Sequence, residues 1–158
     1  MNYEERDPYG MYKGDRNGHG NGNGAALVGD PKYSEKQGPG PSLMGADTLI
    51  GNDVYNTQEQ DLGDIKEIML DMRTGRVSYA VLSFGGFLGM GTKLFAVPWD
   101  ALKLDTANKR FVLDVSNDRL ESAPGFDEDA WPNMADRSWA DGIHTFYGTK
   151  PYADEPRV

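Results

Sequence analysis

Between Val77 and Leu102 the chain reads VSYAVLSFGGFLGMGTKLFAVPWDAL, two apolar runs joined by glycines, and few folds can accept such a stretch. In the first run Val77, Tyr79 and Val81 alternate with Ala80, Leu82 and Phe84, so a strand here is apolar on both faces. A strand of that kind needs cover on both sides, which places it in the middle of a closed or covered sheet. In the second run Phe95, Val97 and Trp99 share one face, and Pro98 lacks the N–H that a central strand must donate. The second strand is therefore expected at a sheet edge, or ending at Pro98.

The rest of the chain supplies partners for this hairpin. Thr48 to Tyr55 (TLIGNDVY) reads as a first strand with a bend at Gly51, followed by a polar turn over Asn56 to Asp61. From Leu62 to Asp71 the apolar spacing is three residues between Ile65 and Ile68 and two between Ile68 and Leu70. A strand with a β-bulge near Lys66 and Glu67 accommodates both steps. Asp71 to Arg76 then forms a hairpin turn with Gly75 where a positive φ is needed. After a short Leu102 to Leu104 segment and a turn over Asp105 to Asn108, Phe111, Leu113 and Val115 alternate with polar residues. Five or six short strands with turns between them predict a mostly β fold, a small antiparallel barrel.

The two ends differ from this middle. Residues 1–41 hold nine of the twenty glycines and four of the nine prolines, with only Met1, Met11, Leu27 and Val28 as large aliphatic side chains. Such a segment buries too little apolar surface to offset the cost of ordering it, roughly 1–2 kcal/mol per residue, and is expected to be a disordered arm. Within it, Gly20 to Ala25 formally matches a GxGxxA nucleotide fingerprint, but without the preceding strand and following helix that give the motif its meaning. Residues 121–158 begin with an extended acidic segment containing Pro124, Asp127-Glu128-Asp129 and Pro132. There follows a short helix capped by Asp136, with Trp139, Ile143 and Phe146 on one face and Gly148 as the stop. A helix of about a dozen residues is marginal alone in water, so it must dock on its own barrel or on a partner.

Composition narrows the function classes. With no cysteine, the chain has neither disulfides nor thiolate metal sites. It shows no apolar run long enough to span a membrane and no signal-peptide pattern, so a soluble, cytoplasmic protein is expected. The net charge is −9, and none of residues 1–41, 42–120 or 121–158 carries more basic than acidic side chains, which argues against DNA and RNA as partners. The two histidines, His19 in the arm and His144 on the terminal helix, have no accompanying nucleophile or cofactor motif, and His144 reads as a helix-surface or interface residue. The acidic run at 127–129 lacks the spacing and glycine of a calcium loop. No catalytic residue, metal site or cofactor is expected. Large apolar side chains in unusual places remain: Phe87, Leu88 and Met90 between glycines, and Trp131, Trp139, Ile143 and Phe146 in the tail. The loop residues either fold over the barrel end or form an exposed contact. The tail residues either clamp the tail to its own barrel or reach a second subunit.

Leu49-Ile50-Gly51-Asn52-Asp53-Val54-Tyr55, Leu62-Gly63-Asp64-Ile65, Thr74-Gly75-Arg76 and above all the Phe95-Ala96-Val97-Pro98-Trp99 block resemble a PRC-barrel domain over about residues 43–120. This module occurs in the cytoplasmic part of the photosynthetic reaction centre H subunit and in the maturation factor of the 30S ribosomal subunit. The Ala123-Pro124-Gly125-Phe126 and Trp131-Pro132 motifs and the terminal helix are similar to the tail of a bacterial stand-alone group in that superfamily. The H subunit's membrane helix and the maturation factor's extra N-terminal barrel have no counterpart in this sequence, so neither specific function is carried over. The resemblance implies a compact barrel that binds proteins and has no catalytic residues associated with its fold. It suggests an adaptor or assembly module forming a homodimer or higher oligomer, with a ribosome- or RNA-associated factor as the alternative.

Overall fold

The computed structural model describes residues 2–3, 5–6, 43–85 and 93–151. Phe87, Leu88, Met90, His19 and the glycine fingerprint at 20–25 lie outside the described residues. Within them the elements run α1 (Ala46–Leu49), β1 (Asp53–Tyr55), β2 (Asp61–Asp71), β3 (Arg76–Phe84), β4 (Lys93–Pro98), β5 (Leu102–Asp105), β6 (Arg110–Leu113), α2 (Asn117–Glu121) and α3 (Arg137–Tyr147). A 3₁₀ turn, Trp99–Ala101, joins β4 to β5. The strands form one six-stranded sheet in the order β4-β3-β2-β1-β6-β5, curled into a half-barrel.

The expected antiparallel arrangement needs one correction, because β1 and β6 run parallel while the other neighbours are antiparallel. Strands β1 to β4 form a meander, and the chain then crosses from the β4 edge to the opposite one. The β5–β6 hairpin therefore arrives beside β1 with β6 running the same way.

The first strand is also shorter than its sequence suggests. Ala46–Leu49 is a helical turn that buries Thr48 and Leu49, and the buried Asn52 side chain donates to the Thr48 and Leu49 carbonyls at 2.9 and 3.1 Å. Those bonds satisfy the carbonyls that a short helix leaves without partners. Only Asp53–Tyr55 then pairs as strand.

Strand β2 carries the expected bulge. Its register against β3 shifts between Ile65 and Glu67, leaving Lys66 as the extra residue. This shift turns both Ile65 and Ile68 toward the core that Val54, Leu62, Leu82, Phe95 and Leu113 fill. The β2–β3 turn closes with Gly75 at φ +75°. Gly63, beside the neighbouring β1–β2 pairing, has a stricter constraint. Its φ is +107°, and an added Cβ would run into the Ser83 carbonyl oxygen of β3.

Both faces of β3 are buried, as its alternation requires. Ala80, Leu82 and Phe84 join the main core, while Tyr79 lies with Ala96 on the outer face beneath Ile143 of α3. Strand β4 lies at the sheet edge and ends at Pro98, where no N–H is needed. Its outer side is covered at one point by Phe126, whose N–H and C=O exchange hydrogen bonds with Leu94 at 2.8 and 2.9 Å. That contact protects an edge otherwise open to pairing with another chain.

Two features were not visible in the alternation pattern. Residues 117–121 form a helix capped by Ser116, whose side chain accepts from Arg119 N, and this helix buries Leu120 completely. At the other end, Tyr3 N donates to the Lys109 carbonyl at 3.2 Å, so the described N-terminal residues lie against the barrel.

Two glycine substitutions should separate backbone constraint from open space. Gly63→Ala combines a strained φ with a clash against fixed backbone and should lower the unfolding free energy by roughly 2–4 kcal/mol. Gly142→Ala, in α3 with nothing near its added methyl, should raise it by about 0.5–1 kcal/mol. Urea denaturation of both variants checks the pair.

Candidate protein interface

Helix α3 forms where the sequence supplies both stops. The Asp136 carboxylate accepts from the Ser138 amide and hydroxyl at 2.9 and 2.8 Å and from the Trp139 amide at 3.5 Å. Hydrogen bonds from Ser138, with a further one from the Trp139 amide, lower the pKa of its carboxyl. At the other end Gly148 takes φ +70°, and Thr149 N donates to the His144 carbonyl at 3.0 Å. Between these caps the helix lays one face on the outer side of β3 and β4.

That face is built around Tyr79. The Trp139 ring meets it edge-on at 5.5 Å between centroids, and Ile143 fits beside it at 1% exposure. The His144 ring packs on Tyr79 at 5.8 Å with its Nδ1 2.7 Å from Thr149 Oγ1. Of the helix-surface and interface readings of His144, the surface alternative is corrected, since the residue is only 5% exposed. A helix lying flat on a sheet buries a stripe wide enough to include the position next to Ile143. Burial lowers the His144 pKa, opposed by the negative charges of Asp100 and Asp141.

Of the seven apolar residues singled out, Trp139, Ile143 and Phe146 make contacts within their own chain. The Phe146 ring stacks under the Arg119 guanidinium at 4.9 Å, and Arg119 Nη2 donates to the Phe146 carbonyl at 2.9 Å. The neighbouring Tyr147 ring stands edge-on to Phe146 at 4.9 Å, and burial raises its hydroxyl pKa. Trp131 differs: it leans on Phe126 at 5.0 Å yet remains 43% exposed. Phe87, Leu88 and Met90 have no described position.

Among the described residues, the exposed large apolar side chains that sequence reasoning missed are Leu43, Leu104 and, at the β2–β3 hairpin end, Leu70 at 51% and Met72 at 87%. Met72 sits in a turn next to Arg73, where a polar residue is usual, and that mismatch was the available signal.

The polar surface offers shallow openings. A cleft of about 350 Å³ lies between Gly51, Gly63 and the carboxylates of Asp53, Asp61 and Asp64, with the Arg6 side chain against it. A second, of about 310 Å³, lies between α2 and the end of α3. At the start of β6, Arg110 donates to both oxygens of Glu59 in the β1–β2 turn at 2.7 and 2.6 Å and covers the Tyr55 ring at 4.2 Å. Glu59 is the main cause of its raised pKa, while the Asp105 carboxyl is lowered first by Asn108 and then by Arg110. The residues 127–129 are solvent-exposed, and among the described residues no group of three or more His, Cys, Asp or Glu side chains could hold a metal ion.

Removing the most buried residue of the helix face tests how α3 is held. Ile143→Ala should cost about 2–4 kcal/mol of local stability, which an isolated 11-residue helix cannot replace. Hydrogen exchange should show α3 losing protection while β2 and β3 keep theirs.

A search of curated proteins finds no match to the chain. The family model of the PRC-barrel domain matches residues 41–120, covering α1, the six strands and all but the last residue of α2. The curled sheet and its Phe95–Trp99 edge agree with that match, and the chain belongs to the PRC-barrel domain family.

Proposed function

We propose that this chain is a non-enzymatic protein-interaction module, acting in the cytoplasm as an adaptor or assembly factor and associating with itself. The observation that carries this reading is the set of large apolar side chains left on the surface of a barrel whose core is already filled. Met72 at 87%, Leu70 at 51% and Trp131 at 43% exposure lie at the surface, and Trp131 leans on Phe126. Exposed apolar groups of this kind on a small domain are suited to the centre of a protein contact. The sequence adds Phe87, Leu88 and Met90 in the connection between β3 and β4, and we propose them as contact residues as well. Family membership supports the reading because the PRC barrel is a module without catalytic machinery. The acidic balance, −9 over the chain, favours a protein partner over nucleic acid.

Light scattering over a range of concentrations tests the self-association. The wild type should show a mass at least twice the 17.4 kDa of one chain. Serine at Phe87, Leu88 and Met90, combined with Trp131→Ser and Met72→Ser, should return it to one chain's mass with the far-UV spectrum unchanged. A wild type that stays monomeric throughout, or a folded variant that keeps the oligomer, refutes the assignment.

A further inference from the structure

We propose that His144 is a pH-sensitive latch: its protonation releases helix α3 from the outer face of the sheet and uncovers the apolar surface of β3 and β4. The latch rests on where the imidazole lies. It is 5% exposed and wedged between the helix and Tyr79, with Nε2 3.5 Å from the Tyr79 hydroxyl and Nδ1 2.7 Å from Thr149 Oγ1. Both neighbours are hydroxyls. They can accept from an imidazolium as readily as they serve the neutral ring, so protonation does not cost a hydrogen bond. It places a positive charge inside aromatic and aliphatic packing, with neither bonded partner able to neutralise it.

The charged and titratable groups around the ring come from several elements. From β3 there is Tyr79, and from the turn after β4 the Asp100 carboxylate. Helix α3 contributes Asp141 and Tyr147, and from α2 Arg119 occupies the helix end at the Phe146 carbonyl. Asp100 and Asp141 favour the proton, as does the negative end of the helix itself. Desolvation outweighs them, and the docked ring titrates below its ordinary value.

The sign follows. When α3 is undocked the ring has the ordinary imidazole pKa of about 6.5, and docking depresses it. The docked state therefore binds fewer protons than the open one near pH 6. Docking is fully stabilised above the open-state pKa and is weakened as pH falls toward and through the docked one. Opening is local because the helix is held by Trp139, Ile143 and His144 on the outer face and by Phe146 and Tyr147 at its last turn, while the buried residues of the main core come from outside α3. The released face carries Tyr79, Ala96 and Met69. The inference does not depend on self-association, since it succeeds or fails on the helix alone.

Hydrogen exchange of the full chain, expressed as protection factors, tests the latch between about pH 7.5 and about pH 5.5. The α3 amides should lose up to about tenfold in protection, the limit for one proton taken up by a group of ordinary pKa, with β2 and β3 unchanged. His144→Gln and His144→Asn, which keep an amide near Nε2 and Nδ1 respectively, should remove the pH dependence. His19→Gln should retain it. An NMR titration of the wild-type His144 ring provides a check that needs no variant, and its midpoint should lie below the ordinary histidine value. A wild-type helix with flat protection, a loss that persists undiminished in both His144 variants, or a ring titrating as free histidine overturns the proposal.

Discussion

The shape of this protein depends on a link of three residues. Strands β4 and β5 form opposite edges of a six-stranded sheet, yet only Trp99, Asp100 and Ala101 separate them in the chain. In a flat sheet those edges would stand about 24 Å apart, five strand spacings. Four Cα steps from Pro98 to Leu102 reach at most about 14 Å. The sheet must therefore curl until its edges approach, and the curl creates the enclosed core. Pro98 ends β4 at the point where the chain leaves the sheet, and the Trp99 ring packs on Phe111 of β6, 5.8 Å away, tying the crossover to the far side.

Curling resolves one face of β3 and leaves the other to be covered. Ala80, Leu82 and Phe84 enter the barrel, while Tyr79 faces outward with Ala96 beside it. Helix α3 covers this second face, and Phe126 pairs with Leu94 on the way, so the acidic segment that delivers the helix also protects the β4 edge. The tail thus completes the domain by satisfying the side of the sheet that the barrel cannot enclose. Its cover is lighter than the barrel's core, resting on a few aromatic and aliphatic side chains with a histidine among them.

Much of the fold was legible from residue spacing. The three-then-two step in Ile65, Ile68 and Leu70 placed a bulge near Lys66 and Glu67, and the register shifts between Ile65 and Glu67. Asp136 and Gly148 bounded the terminal helix because capping is chemistry between residues close in sequence. The short α1 and α2 were less accessible. A helical turn of four or five residues has too few apolar positions to show a period, and Asn52 secures α1 through side-chain bonds that spacing cannot reveal. The burial of His144 was hidden for a related reason: it depends on the Tyr79 ring, 65 residues away in the chain.

The sequence by itself determined which segments alternate, where the β2–β3 turn and the two caps of α3 fall, and that one strand needs cover on both faces. These are local properties, fixed by side-chain type and the steric limits of φ. Tertiary structure alone decided that β6 lies parallel to β1, that Trp139 and Ile143 are committed to their own sheet, and that Leu70, Met72 and Trp131 remain at the surface. Strand order and exposure depend on which distant segments meet, and here a three-residue connection between the sheet edges governs that meeting.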